Sequence, residues 1–382
     1  MPPCLSAILS RVATHRTPGC YHGGAFFEAV GEEFDALERL STVISADVLD
    51  AWFPPAPSVV DAIRSHLPSL LRTSPPTSCA GLVRAIARAR NVEPVNILAG
   101  GGSSDLMFLA LTRWLSPRSR VLILDPMYGE YGHVLEEVVG CRVDRLALSR
   151  RDGYLLDPGR WVERLRAMRY DLAILVNPNS PTGRHVSRAA LERAIDAVSD
   201  RTRIWIDETY VDFVGRDESL EVFASERDNV VVCTSMSKAY ALSGARVGYL
   251  CASPSTIGEL RGYNPPWAVG LVGQVAAVAA LDNPSYYEAR WRATHELRRE
   301  LGRGLARLSV DVVAGVANFL LCHLPVGGRD AADLAAAARE HGLFLRELGA
   351  MGRTLGPDAF RIAVKDDVTN ARMLEILGEI LE

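Results

Sequence analysis

The sequence predicts a large α/β domain built on a parallel sheet, followed by a smaller C-terminal α+β domain. Three observations carry this. Four short apolar runs, VLILDP (121–126), DLAILVNP (171–178), RIWID (203–207) and NVVVCTS (229–235), end in polar residues, the form of strands buried on both faces. Amphipathic helical patterns lie between the runs, and such alternation favours a sheet covered by helices. After the Pro-rich break YNPPW (263–267) the rhythm changes to helix, strand, helix, strand, helix.

Taken in order, residues 1–50 read as an arm that packs on the small domain or on a partner subunit. Its leading stretch, MPPCLSAILSRVATHR, holds only a short apolar run and no small-residue cleavage site, so a secretory signal is not expected. Residues 51–265 form the large domain and residues 266–382 the small one. Within the large domain, SSDLMFLALTRWL (103–115) follows a Gly-rich turn with helical spacing of its apolar residues. SRAALERAIDAVSD (187–200) starts with Ser at an N-cap position and carries an apolar stripe. In the small domain, YYEARWRATHELRRELGRGLARL (286–308) is one long amphipathic helix and FRIAV (360–364) a late strand.

Composition sets the outer bounds. With 48% hydrophobic and 23% charged residues over 382 positions, the chain is globular rather than disordered or fibrous. Lys and Arg number 42 against 46 Asp and Glu, a net charge of -4, so no basic excess points to nucleic acid or an anionic membrane. The seven cysteines are scattered and form no C-x-x-C pair, which argues against a disulfide framework or a zinc site and for thiols in a reducing cytoplasm. No apolar run reaches the length, roughly 20 residues, of a membrane-spanning helix.

In open α/β sheets, ligands bind beyond the carboxyl ends of the strands. Four segments there carry chemistry. In SMSKAYALSGARVGY (235–249), Lys238 follows a strand among small polar residues, where a dry lysine near cations serves as a Schiff-base amine. Ser235, Ser237 and Arg246 lie close enough in sequence to share one phosphate. In AGGGSSDL (99–106), Gly and Ser open a helix whose N-terminus favours an anion. In WIDETYVDF (205–213), Asp207 closes a buried strand and needs a partner, with Tyr210 three residues on. In NPNSPTGR (177–184), a strong turn signal carries Asn177 and Asn179 at the sheet edge. Taken singly, each also reads as ordinary structure: a solvated helix face, a capped turn, an acidic strand end, a tight loop.

Together and in this order, the four segments resemble the pyridoxal-phosphate-dependent class I/II aminotransferase family of the aspartate-aminotransferase fold, or fold type I. The branch they resemble most holds histidinol-phosphate aminotransferases and threonine-phosphate decarboxylases. The likeness runs from residue 90 to the C-terminus, and its most specific part is S-x-S-K-x7-R following D-E-x-Y. It implies a large domain with a mostly parallel mixed sheet flanked by helices, a smaller C-terminal domain that clamps substrate, and pyridoxal 5'-phosphate as cofactor. Lys238 would bind the cofactor as a Schiff base and move the Cα proton. Asp207 would pair with the ring nitrogen, and Tyr210 would bond the phenolic oxygen. Gly102, Ser103, Ser104, Ser235, Ser237 and Arg246 would hold the phosphate, and Tyr128 would stack on the ring. Arg361 would grip the substrate carboxylate, with Arg346 near the place of a distal phosphate ligand.

Two departures stand out. The family has Asn before P-T-G, where this chain has Ser180 with Asn179 one residue earlier; both are candidates for the ring contact. The family's inter-subunit Tyr is replaced by Thr73 in RTSPPTSC (72–79). YHGG (21–24) matches the H-G-G of the decarboxylase branch. The resemblance thus implies a cytoplasmic homodimeric aminotransferase acting on an amino acid or phosphorylated amino acid. The alternative is a non-transaminating relative: a decarboxylase, or a cyclisation, elimination or replacement enzyme. A binding protein without catalysis is disfavoured, because Lys238, Asp207, Tyr210 and Arg246 are all present.

Overall fold

The strands of the computed structural model are β1 (Ile44–Ser45), β2 (Ile97–Gly100), β3 (Arg120–Asp125), β4 (Arg142–Ala147), β5 (Leu172–Val176), β6 (Arg203–Asp207), β7 (Val230–Ser235), β8 (Gly248–Cys251), β9 (Asp311–Val313), β10 (Phe319–His323), β11 (Leu343–Phe344), β12 (Arg346–Glu347) and β13 (Ala359–Ala363). The structure describes residues 24–382 except 32, 35 and 36. The leading stretch and most of YHGG lie outside the described residues.

The large sheet has seven strands in the order β2-β8-β7-β6-β5-β3-β4. The four apolar runs of the sequence are β3, β5, β6 and β7, which pair in parallel. Their residues are buried almost throughout because helices cover both faces. β8 runs antiparallel to both β2 and β7, which makes the sheet mixed. β4 is an edge strand that is at most half-buried, so its sequence RVDRLA mixes charged with apolar residues instead of forming a run. The helix Ser103–Trp114 starts where the Gly-rich turn ends. Ser187 occupies the N-cap of Arg188–Asp196 but makes no side-chain capping bond.

The smaller unit is a four-stranded sheet in the order β12-β13-β10-β9, antiparallel at each pairing. The helices Ala331–Glu340 and Asp367–Leu381 belong to it. β1 pairs in parallel with β11, and Ala363 donates its backbone N–H to Ala46 O at 3.0 Å, which ties the segment after residue 44 to this unit. The helix Leu271–Leu281 packs on Pro57–Arg72 and Ala80–Arg90, so it belongs with the large unit. This differs from a division at residue 265. The apolar side chains after YNPPW need a second layer to bury them, and those two helices supply it. The long helix Pro284–Arg307, with Pro at its first turn, then leads across to the small unit.

Candidate active site

The carboxyl ends of β6 and β7 and the N-terminus of Ser103–Trp114 converge on a cavity of about 150 Å³. Ser103, Ser104, Ser235, Ser237 and Arg246 line one group of its walls, and Asp207, Tyr210, Tyr128, Ser180, Lys238 and Arg361 the rest.

Gly102 is the N-cap of that helix, at φ 99° and ψ 168°. A Cβ there would lie 2.5 Å from Arg246 Nη2, and one on Gly248 would lie 2.7 Å from Gly102 C. The backbone and the guanidinium thus approach each other only because both positions are glycine. Ser235 Oγ donates to Ser237 Oγ at 2.9 Å, and Arg246 Nη1 donates to Ser237 Oγ at 3.3 Å and to Ser243 O at 3.2 Å. Hydroxyls, a guanidinium and helix N–H groups meet here, a donor set suited to a phosphate.

Asp207 is the last residue of β6 and is buried. Its Oδ2 accepts from Tyr131 Oη at 2.8 Å; its Oδ1 accepts from Thr209 N at 3.0 Å and Thr209 Oγ1 at 2.6 Å. Burial pushes the carboxyl above its ordinary value, and these donors pull it partly back. Tyr131 in turn accepts from Trp205 Nε1 at 2.7 Å, so a buried chain Trp205–Tyr131–Asp207 stands behind the cavity. Sequence reasoning missed Tyr131, although it sits one helical turn after Tyr128 in DPMYGEY. Tyr128 lies edge-on to Tyr131, with ring centroids 6.1 Å apart. Tyr210 is buried edge-on to Phe319 at 5.3 Å, and burial raises its phenol.

Lys238 Nζ donates to Asp50 Oδ1 at 2.9 Å. Burial lowers its ammonium below the ordinary value, Asp50 opposes this, and Arg361 and Arg246 add to the lowering. Asp50 was not expected from the sequence, because 188 positions separate the pair.

Arg361 is buried on β13. Its Nη1 donates to Ser180 Oγ at 3.0 Å and its Nη2 to Asp47 O at 3.1 Å, while its buried Nε has no partner. Burial lowers its guanidinium to about 10. Arg346 faces Arg361 directly in the β12–β13 register. Both line a second cavity of about 420 Å³, to which Tyr128 also contributes.

Asn179 corrects the sequence reading. It does not line the cavity: its Nδ2 donates to Pro126 O at 3.1 Å and to Thr182 Oγ1 at 3.0 Å, holding the turn itself. Ser180, the next residue, is the one that faces the cavity. These bonds take up the amide nitrogen and hold it away from the cavity, and the shorter serine takes the outward position.

An amine, a phosphate cradle closed by two glycines and a buried carboxylate in one cavity fit pyridoxal 5'-phosphate. No cluster of three or more His, Cys, Asp or Glu able to hold a metal occurs among the described residues.

Residues 47–380 match the family model described as aminotransferase class I and II. The chain is 32% identical over 356 residues to a histidinol-phosphate aminotransferase of Anaeromyxobacter sp. (strain Fw109-5), covering 92% of this chain and 95% of that one. It is also 32% identical over 323 residues to an aromatic amino acid aminotransferase of Rhodococcus jostii (strain RHA1), covering 84% and 85%. A solved histidinol-phosphate aminotransferase of Sinorhizobium meliloti, in complex with pyridoxal-5'-phosphate, shares the fold with a TM-score of 0.81 at 24% identity, over 91% of this chain and 94% of that one. The chain belongs to the class I and II aminotransferase family. It is a pyridoxal 5'-phosphate-dependent transferase, an aminotransferase.

Proposed function

We propose that this enzyme transfers the amino group of an amino acid or a phosphorylated amino acid, with Lys238 as the amine that holds the cofactor. The observation that carries the reading is the Lys238 amine in one cavity with the buried Asp207 carboxylate and the Ser–Arg246 cradle. The bound cofactor supplies an electron sink for bonds at the substrate's Cα. Asp207 would hold a proton at the cofactor's ring nitrogen, and Tyr210 and Ser180 would offer hydroxyls to the ring. Ser103, Ser104, Ser235, Ser237 and Arg246 hold the phosphate, and Gly102 leaves the room that Arg246 needs. Tyr128, which lines the cavity, would cover a face of the ring. Lys238 Nζ takes the Cα proton and returns it.

Arg361 binds the substrate carboxylate. Its buried guanidinium with an unpartnered Nε supports this. Arg346 binds an anionic group further along the substrate. Its place opposite Arg361 and its share in the adjoining 420 Å³ cavity support that role, as does the name of the histidinol-phosphate relative. We infer a homodimer, to which the large exposed side chains of Leu71, Tyr263 and Trp267 fit. A cytoplasmic site accords with the five described cysteines being free.

The test is a screen of amino acids and phosphorylated amino acids against the purified yellow protein. Bleaching of the cofactor band with one equivalent of keto product per turnover supports the reading. An amine product with release of carbon dioxide would replace it with decarboxylation.

A further inference from the structure

The chain contains two lysines, Lys238 and Lys365, among its 42 basic residues. Lys238 contacts one carboxylate, Asp50, on the segment between β1 and the helix Pro57–Arg72, and Lys365 feels its charge. Asp50 Oδ1 accepts from Lys238 Nζ at 2.9 Å and from Ser243 Oγ at 2.6 Å. Ser237 O lies 3.1 Å from Ser243 Oγ and shares its proton, which fixes the serine against the turn after β7 that carries Lys238.

The backbone leading to Asp50 is anchored. Asn318 Nδ2 donates to Leu49 O at 2.9 Å and Arg361 Nη2 donates to Asp47 O at 3.1 Å. The carboxylate is thus held from the small unit and from the large one at once. The charges that face Lys238 from other elements are Asp50, Arg361 and Arg246. Those that face Asp50 are Lys238 and Lys365, and Lys365 also feels Asp47 and Asp366. Asp50 is the carboxylate in contact with the amine; Arg361 and Arg246 act against a charge on it.

We infer that Asp50 is the counter-ion that sets the charge of the Lys238 amine whenever that amine is free of the cofactor, and so a positioning residue for the proton Lys238 carries. The inference rests on the reading of Lys238 given above. When the free amine takes a proton, a C–H bond of the substrate breaks, its electron pair stays on the substrate, and an N–H bond forms at Nζ. The ammonium so formed is stabilised by Oδ1 in contact. The return of the proton reverses the same bonds and needs no other reactant. Asp50 lies outside the four motif segments that carry the chemistry in the sequence, and Ser243 is the device that keeps its oxygen on the amine.

The test reads amine charge directly. The full-length chain, freed of cofactor, is acylated with limiting acetic anhydride at several pH values, and the two lysine peptides are quantified separately by mass spectrometry. Only the neutral amine reacts. Asp50→Asn is expected to lower the apparent pKa of Lys238 by about one unit, a roughly tenfold faster acylation below the pKa; the low end of the contact range applies because the Asp50 side chain is 42% exposed. Lys365 is expected to shift the same way. An unchanged Lys238 profile in a folded Asp50→Asn variant overturns the inference. If that variant does not fold, Ser243→Ala serves: it removes the donor that keeps Oδ1 on the amine, and a roughly threefold faster acylation of Lys238 is expected, with an unchanged or slower rate overturning the claim. Borohydride reduction of the holoenzyme maps the cofactor-bearing lysine separately. A cofactor on Lys365 would remove the reading of Lys238 itself, whereas a cofactor on Lys238 with an unmoved profile removes only the role of Asp50.

Discussion

Gly102→Ala probes the phosphate cradle with one methyl group. At φ 99° and ψ 168° the position lies in a region that is essentially glycine's alone, so alanine costs about 1–3 kcal/mol of strain. Unfolding entropy of about 2.1 cal/mol/K per residue gives roughly 0.8 kcal/mol/K for 382 residues, hence a melting temperature lower by about 1–4 °C. The local effect is larger. The new Cβ would stand 2.5 Å from Arg246 Nη2, where normal contact needs roughly 3.5 Å, so the guanidinium must retreat by about 1 Å. That breaks its long bonds to Ser237 Oγ and Ser243 O and moves it off the anion. The obstacle is the tip of a flexible side chain, so the fold survives while the cradle does not. Losing one charge-assisted hydrogen bond costs about 1.5–3 kcal/mol, which weakens cofactor affinity about ten- to hundredfold. Tryptophan-fluorescence titration of the cofactor-free chain with pyridoxal 5'-phosphate measures this, and calorimetry measures the melt. Unchanged affinity together with an unchanged melt would refute the cradle.

Other perturbations test separate parts of the site. Tyr131→Phe removes a donor from Asp207 Oδ2 and orphans Trp205 Nε1, each loss costing about 1–3 kcal/mol, so the melting temperature falls and the pH midpoint of the bound cofactor's absorbance moves. Glu208, next to Asp207, is buried and raised to about 8 from an ordinary 4.5, first by burial and then by Glu221. The folded chain keeps this proton where the unfolded chain releases it, so its contribution is full below 4.5 and is lost as pH rises toward 8. Glu208→Gln should therefore flatten the decline in stability across that window by up to about 1.4 kcal/mol per pH unit, read from urea midpoints. Arg361→Lys gives up the planar fork that now reaches Ser180 Oγ and Asp47 O, and should raise the KM for the amino donor by about tenfold or more while cofactor affinity stays within a factor of about two.

The parts of the molecule legible in the sequence are those where one residue type answers to one environment. β3, β5, β6 and β7 are buried on both faces, so burial alone writes them as apolar runs, and the polar residue that ends β6 is Asp207. β4 escaped because an edge strand tolerates Arg142, Asp144 and Arg145. β8 escaped as well: GYLC is only four residues long and directly follows the Lys238 segment, and nothing local in it shows that it pairs antiparallel with β2 and β7. In the site, Lys238 and Arg246 are local to one segment and could be found together. Asp50 could not, because its contact with Lys238 is made by the packing of the two units. Of the two candidates Asn179 and Ser180, only Ser180 reaches the cavity, because the Asn179 amide nitrogen is bonded to Pro126 O and Thr182 Oγ1, a competition that residue spacing does not reveal. Tyr131 announced itself only as a second tyrosine one turn from the first.

The central claim is that Lys238 is the amine that holds the cofactor. With only two lysines in the chain, the measurement is simple: reduce the yellow protein with borohydride, digest it and locate the added pyridoxyl mass. One equivalent on the peptide containing Lys238, with Lys365 unmodified, is the expected result. A label on Lys365, or a yellow band that reduction leaves unattached to any lysine, would contradict the account.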